Sequence, residues 1–228
     1  MTSDDSVDVD KIVATAIFFA SKNTGDRVAL SRLNGIDPAA NWNNAAVFYR
    51  YFGENTPNYT GYSSRELAAG IALSLWALGR NEESTRISTR RFAEESEKQD
   101  SDRYVSFGRS LRDFAESLVR ITGPDPSDRE YPPGLMRKIS ILLSSPTVEY
   151  LYGNLKSVVR YINSQSVNGK PVGIDYPRLA KDLSYAIAYD GSIRSDTLNK
   201  WTKEFWRTNS RPFDTLTARI TTNTQEKS

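Results

Sequence analysis

The apolar residues of this 228-residue chain recur at helical spacing from one end to the other. In residues 10–20, for example, apolar side chains stand three or four positions apart, which places them on one face of a helix. No stretch shows the sustained alternation of apolar and polar residues, rich in β-branched types, that is typical of a half-buried strand. The pattern therefore predicts an all-α fold of about nine helices with little or no sheet.

Capping and turn residues divide this pattern into separate helices. Ser63 or Ser64 is a suitable N-cap for the segment RELAAGIALSLWALG, which is apolar on most sides, as expected of a helix at the centre of a bundle. Asp175 is a suitable cap for a later helix. Pro38 is able to open a helix that continues through Trp42, because proline is tolerated in the first turn.

One internal segment lacks the helical pattern. Residues 80–102 are charged, serine-rich and short of large apolar residues, so we predict a mobile charged connector there. It would join two packed helical bundles, an N-terminal one in residues 10–100 and a basic C-terminal one in residues 103–208. We predict that residues 1–9 form a disordered acidic tail and that residues 209–228 form a polar frayed tail.

Charge is divided unevenly along the chain. Residues 1–136 hold 16 Lys and Arg against 20 Asp and Glu, a balance of −4, whereas residues 137–211 hold 12 against 6, a balance of +6. Such asymmetry indicates a polyanionic partner for the basic half. The whole chain carries only +2, however, which is far from the basicity of dedicated DNA-binding proteins.

The residue types needed for common catalytic sites are missing. The chain has no histidine and no cysteine, which excludes disulfides, thiolate chemistry, the HExxH zinc helix and the usual serine triad. It also lacks the glycine-rich phosphate loops GxxxxGK[ST] and GxGxxG. We therefore expect no enzyme activity, no metal and no cofactor. The longest early apolar run, IVATAIFFA, is too short to cross a bilayer, so we expect a cytoplasmic protein without membrane contact.

Some cations have no acidic residue three or four positions away, so pairing along their own helix does not account for them. They include Arg137, Lys138, Lys156, Arg160, Lys181 and Lys203 in the basic half of the chain. Two interpretations stay open: these cations are solvated or paired with acids distant in sequence, or they meet an external anion such as a phosphate. Lys156 and Arg160 favour the anion, because like charges at this spacing cost about 0.2–0.5 kcal/mol otherwise.

The stretch SFGRSLRDFAE poses the same choice. It places Arg109 and Arg112 near the start of a helix, the end that already carries partial positive charge. Asp113 and Glu116 stand four residues further on and are able to pair with them. An external phosphate at the helix N-terminus is the alternative.

Aromatic residues raise the question of base stacking. Trp42, Trp76, Trp201 and Phe205 fall on apolar helical faces, so we predict that they belong to the core. Four tyrosines are less tied to such a face and are free to reach a ligand or partner. They are Tyr150, Tyr161, Tyr185 and Tyr189.

The order of several segments resembles the CasB family, the small subunit of the type I-E CRISPR surveillance complex called Cascade. The segments are SFGRSLRDFA, RKISILL, LKSVVRYI, VGIDYPRLAKDL and WTKEFWRT, preceded by VFYRYFG and LSLWALG in the N-terminal half. The family pattern has a second basic residue where this chain has Ser157. The resemblance spans roughly residues 10–208.

The resemblance implies an all-helical, non-enzymatic subunit that binds nucleic-acid backbone without sequence specificity. It implies as partners the backbone and large subunits of Cascade, a second copy of the chain, the CRISPR RNA, and target DNA held in the R-loop. The nucleic-acid-binding residues implied at matching positions, with Arg160 a turn after Ser157, are Arg109, Arg137, Lys138, Lys156, Arg160, Lys181 and Arg194. The alternative is a helical scaffold that binds only protein, with its basic half facing an acidic subunit.

Overall fold

The computed structural model describes residues 8–52, 62–79, 81–93, 106–121, 129–167, 170–171, 173–188 and 190–206. Ten helices lie in these ranges, which confirms the all-α prediction. They are α1 (Val9–Ala20), α2 (Thr24–Ser31), α3 (Trp42–Phe52), α4 (Ser64–Gly79), α5 (Glu82–Ala93), α6 (Phe107–Ser117), α7 (Pro133–Leu143), α8 (Val148–Asn163), α9 (Tyr176–Ala186) and α10 (Ser195–Trp206).

Extended structure in the described ranges is limited to short pairings between helices. Strand β1 (Arg120–Ile121) pairs antiparallel with β2 (Arg129–Glu130), and β3 (Ser166–Val167) pairs antiparallel with β4 (Lys170–Pro171). Two isolated bridges, Thr147 with Ser192 and Ile187 with Ile193, tie the loop before α10 to its neighbours. These short pairings lie in the connections between helices, and they form no sheet that packs against the core.

Helix α4 lies at the centre of the fold, as its sequence predicts. Its residues from Ala68 to Ala77 are buried, and it packs against α1, α2, α8 and α9. Ser63 is the N-cap: its hydroxyl accepts from the Glu66 amide at 3.1 Å, and the Glu66 carboxylate accepts from the Ser63 amide at 2.8 Å. This reciprocal capping box fixes where the helix begins.

The prediction of a connector over residues 80–102 is wrong for residues 82–93, which form α5. This helix packs on α1 and α9. Within residues 82–89, where its side chains are described, the buried ones are Ser84 and Ser88. Ser84 accepts a hydrogen bond from the Ile174 amide at 2.9 Å, and Ser88 accepts one from the Tyr176 amide at 3.3 Å. The buried serines therefore dock α5 against the chain that leads into α9. Residues 94–102 of the predicted connector lie outside the described residues.

The predicted acidic tail is wrong at its inner end. Val9 begins α1 and is buried, and Asp8 directly precedes the helix. Residues 1–7 of the predicted tail, and residues 209–228 of the predicted frayed tail, lie outside the described ranges. Residues 8 and 9 therefore belong to the fold.

One hydrophobic core runs through both halves of the described chain. Helices α1 and α4 from the N-terminal half pack against α9, and α4 also packs against α8. The buried side chains of all four helices belong to one contiguous cluster. The assignment of residues 10–100 and 103–208 to separate bundles stays a prediction.

Helix α6 is held against α10 at an unusually close crossing. Gly108 lies against the backbone of Trp201, and the Phe107 and Trp201 rings pack beside it with centroids 5.1 Å apart. Ser106 caps α6, since its hydroxyl accepts from the Arg109 amide at 3.3 Å. The crossing turns the first exposed residue of α6, Arg109, outward to solvent.

Candidate nucleic-acid interface

Helices α7 and α8 bring three of the predicted cations together. Lys138 on α7 donates through Nζ to the Ser157 hydroxyl on α8 at 2.7 Å. Ser157 is the position at which the family pattern has a second basic residue, and here it serves as a neutral acceptor that binds the Lys138 ammonium. Because the serine carries no negative charge, this contact does not compensate the charge of the ammonium.

Lys156 and Arg160 stand one turn apart on the neighbouring strip of α8. The Lys156 ammonium lies 4.8 Å from the centre of the Tyr152 ring, and Arg160 is exposed in the last turn of the helix. Both line a groove of about 280 Å³ between α8 and the end of α4. The groove places two like charges beside each other, as the sequence predicts.

Arg137 lies on the outer side of α7. Leu135, Ile139 and Leu142 form the buried side of this helix, and Arg137 points away from them and is exposed. Arg137 and Lys138 therefore project from different sides of α7, with only Lys138 directed at α8.

Six predicted site residues make no ion pair with any carboxylate in the part of the chain that the structure describes. They are Arg109, Arg137, Lys138, Lys156, Arg160 and Arg194. For these residues, pairing with an acid distant in sequence finds no support in the described contacts. Their positive charge is available to an external anion.

Lys181 differs from the other predicted site residues because it has acidic partners. Its ammonium lies 3.1 Å from the Asp8 carboxylate and 3.6 Å from that of Asp10, both at the start of α1. These partners are more than 170 positions distant in the chain, far beyond the three or four residues over which side chains pair along one helix. Lys181 thus joins α9 to α1, which weakens the case for it as a phosphate ligand.

The pair also shifts the titration of both groups. Burial raises the pKa of Asp8, but hydrogen bonding with Asp10 and Lys181 and the charge of Lys181 outweigh it, so the pKa lies below 3.8. Burial lowers the pKa of Lys181, but the hydrogen bond to Asp8 and the charges of Asp10 and Asp8 outweigh it, so the pKa lies above 10.5. Both charged forms are favoured in the folded state.

Lys181→Ala is expected to lower the free energy of unfolding by less than about 1 kcal/mol near pH 7, because the pair is partly solvated. The stabilisation from Asp8 is present above pH 3.8 and is lost as pH falls through its lower folded value. That from Lys181 is present below pH 10.5 and is lost as pH rises through its higher folded value. Thermal melts of both proteins across pH check this: a difference in Tm that stays constant into strong acid would contradict it.

Arg109 remains close to a carboxylate without forming an ion pair. Burial raises the pKa of Asp113, and the charges of Arg109 and Arg112 act in the opposite direction without cancelling burial. Glu116, the expected partner of Arg112, accepts a hydrogen bond from the Tyr131 hydroxyl at 2.7 Å. The ladder of paired charges predicted along α6 is therefore only partly formed in the described contacts.

Arg194 stands at the opposite end of α8 from Arg160. Its amide donates to the Ala186 carbonyl at 2.8 Å, and the Thr147–Ser192 bridge holds its loop beside the start of α8. At 1.5 Å per residue, the helix separates the two ends by roughly 18 Å. The structure thus places Lys138, Lys156 and Arg160 on the adjoining surfaces of α7 and α8. Arg194 lies at the far end of α8, Lys181 lies beside the start of α1, and Arg109 lies on α6.

The aromatic prediction is correct for three residues and wrong for one. Trp76, Trp201 and Phe205 are buried, whereas Trp42 is 84% exposed. Helix α3 begins at Trp42 rather than at Pro38, so the indole stands at the helix end, outside the core. The neighbouring asparagines in NWNN are the sequence signal for this surface position.

The four tyrosines set apart in the sequence have different surroundings. Tyr150 and Tyr185 are exposed, and Tyr161 is partly buried with its ring 6.0 Å from that of Phe114. Tyr189 lies outside the described residues. Only Tyr150 and Tyr185 are therefore seen to be open to a partner.

The described residues offer neither a metal site nor a membrane-spanning helix. In the described parts of the chain, no three acidic side chains are grouped in a way that would hold a metal ion. None of the described helices is long and apolar enough to cross a membrane. Exposed cations on helical surfaces remain the main chemical feature.

Comparison with known proteins places this surface in context. No curated protein matches the sequence, and no solved structure matches it. The sequence profile of the family described as CRISPR-associated protein Cse2 matches residues 26–206. This range includes most of α2, all of α3 to α10 and all the predicted site residues. The chain therefore belongs to the CRISPR-associated Cse2 family, also known as CasB.

Proposed function

We propose that this Cse2 protein binds nucleic-acid backbone without sequence specificity and stabilises the target and displaced DNA strands of an R-loop. Membership of the family makes it a subunit of a CRISPR Cascade complex, in a family of structural subunits rather than enzymes. In such complexes base pairing with the guide reads the sequence, so the protein is required to supply backbone contacts and shape.

One observation carries the proposal: Lys138 on α7 and Lys156 on α8 are held in place without acidic partners. Lys138 is fixed by a neutral serine, and Lys156 is fixed by the face of a tyrosine ring. Each contact orients an ammonium group while leaving its charge uncompensated. A surface of this kind attracts phosphates, which release counterions when they bind.

The remaining partners belong to the same proposal. Other Cascade subunits follow from the family, and we propose that the backbone and large subunits are the ones contacted. A second copy of the chain, the CRISPR RNA and cytoplasmic location complete the proposed setting. The competing function is a scaffold whose basic surface faces an acidic protein subunit, and it predicts no binding to free DNA.

The test compares two variants with equal loss of charge. In one, Lys138, Lys156 and Arg160 are changed together to Ala; in the control, exposed cations of the N-terminal half are changed, namely Lys22, Arg32 and Arg65. We expect the first to lose roughly tenfold or more in affinity for a labelled single strand at low salt. Its slope of log affinity against log salt is expected to shrink by about 2, since three contacts each contribute about 0.7.

Fluorescence anisotropy across a salt series, with single-stranded and duplex DNA, gives both quantities. Circular dichroism verifies that both variants stay folded. If the wild-type protein does not bind DNA even at low salt, the proposal is wrong and the scaffold function replaces it. Equal losses in the two variants would instead show that binding follows net charge rather than the α7–α8 surface.

A further inference from the structure

The groove between α4 and α8 combines a carbon-lined floor with a cationic rim. Leu75 and Leu78 from α4 and Val159 from α8 supply the apolar side chains. Lys156 and Arg160 stand at the edge, and Asn163 and Ser164 lie at the end of α8. No carboxylate is among the described residues that line it.

The cations of this groove keep their hydrogen-bonding capacity. Within the described residues, neither the Lys156 ammonium nor the Arg160 guanidinium donates a hydrogen bond to the protein, and the ring of Tyr152 is the one contact recorded for Lys156. An ammonium has three donors and a guanidinium five. The C-terminal ends of α4 and α8 favour positive charge nearby, but they leave these donors unused. These donors are open to solvent, so an anionic group that enters the groove would find them free to bind it.

Size and polarity narrow the occupant further. The volume of about 280 Å³ lies just below the roughly 300 Å³ at which small-molecule pockets begin. A bare phosphate would gain nothing from an aliphatic floor, whereas a planar base would bury one face against Leu78, the partly exposed aliphatic side chain of the floor. Leu75 and Val159 are buried beneath it. A double helix keeps its bases stacked inside and would present only its backbone.

We propose that the α4–α8 groove holds one unstacked base of a single nucleic-acid strand, with the flanking phosphates on Lys156 and Arg160. This inference rests on the proposed function and adds to it a contact with a base as well as with the backbone. Because the floor is formed by carbon atoms, the contact is tolerant of sequence, in keeping with base stacking in other single-strand grooves.

The experiment titrates the full-length protein with two labelled dodecamers that differ only in their bases. One is oligothymidine, and the other is the same backbone with every base replaced by an abasic site. A uridine dodecamer and its abasic counterpart are titrated alongside, so that the larger base preference identifies whether DNA or RNA is the better occupant.

Two substitutions separate the floor from the rim. Leu78→Gln makes the floor polar without changing charge, and Ile141→Gln makes the same kind of change at an exposed position on α7. Lys156→Ala with Arg160→Ala removes the rim, and Lys22→Ala with Arg65→Ala is its charge-matched control.

We expect the wild-type protein to bind oligothymidine roughly fivefold to tenfold more tightly than the abasic strand. Leu78→Gln should remove this preference while leaving affinity for the abasic strand unchanged, and Ile141→Gln should leave both affinities unchanged. Loss of the rim should weaken binding of both strands. The groove proposal is overturned if the wild-type protein binds the two strands equally, or if Leu78→Gln keeps the preference for oligothymidine. Either result leaves the proposal of backbone binding intact. If the wild-type protein binds neither strand, both the groove proposal and the proposal of backbone binding are overturned.

Discussion

Alanine in place of Gly108 is expected to lower the free energy of unfolding by about 3 kcal/mol. A methyl group at this position would lie 2.6 Å from both the Cα and the carbonyl oxygen of Trp201. Both atoms belong to the backbone of α10, so no flexible side chain is able to give way. The two helices must separate, which also disturbs the packing of Phe107 on the Trp201 ring. Urea unfolding followed by circular dichroism measures the loss.

Gly153→Ala is the matched control, because Gly153 lies within α8 and a methyl group there meets no atom within 4 Å. This change is expected to stabilise the protein by about 0.5–1 kcal/mol, since alanine favours a helix over glycine. If Gly108→Ala unfolds at the same urea concentration as wild type, α6 and α10 do not approach as closely as the structure has them.

Asp182→Ala is expected to cost about 3 kcal/mol. The Asp182 side chain is buried, and its carboxylate accepts from the Trp201 indole N–H at 2.9 Å. The same carboxylate lies 3.2 Å from Arg178 Nε and 3.8 Å from Lys200 Nζ. Removing it leaves the buried indole N–H without its acceptor and the partly buried Arg178 guanidinium without its ion-pair partner. An unsatisfied buried donor costs more than a lost surface bond.

Two further variants separate hydrogen bonding from charge. Asp182→Asn keeps an acceptor for Trp201 and removes the negative charge, so it is expected to lose less stability than Asp182→Ala. Asp196→Ala, at an exposed position in the first turn of α10, is expected to change stability by less than about 1 kcal/mol. A loss at Asp182 no larger than the loss at Asp196 would show that the buried carboxylate does not hold α9 to α10.

Most of the helices are predictable from the sequence because their buried faces are apolar and their caps are local. Ser63 and Asp175 cap α4 and α9 as expected, with the Asp175 carboxylate 2.9 Å from the Arg178 amide. Helix α5 escapes prediction because the buried side chains in its described part, residues 82–89, are Ser84 and Ser88, which accept hydrogen bonds from backbone amides of another segment. A serine face carries no hydrophobic periodicity, so only the tertiary partner reveals it.

The candidate site was predictable to a different degree. The groupings on one helix, such as Lys156 with Arg160, follow directly from spacing along α8. The pairing of Lys138 with Ser157 and of Lys181 with Asp8 depends on how helices are placed against each other. Rules for side-chain pairing along a helix extend over about four residues, so they do not predict partners on other helices. The exposure of Trp42 is not predictable from spacing for a related reason. Whether this side chain reaches the core depends on where α3 begins.

The central position of α4 has a consequence for synthesis on the ribosome. This helix is buried on nearly all sides, and two of the helices that cover it, α8 and α9, follow it by about 70 to 100 residues. At roughly 5–20 residues per second, its apolar surface leaves the ribosome several seconds before those helices do. During this interval the nascent chain exposes the apolar surface of α4. We therefore expect chaperones to bind fragments of the chain that end before Tyr176.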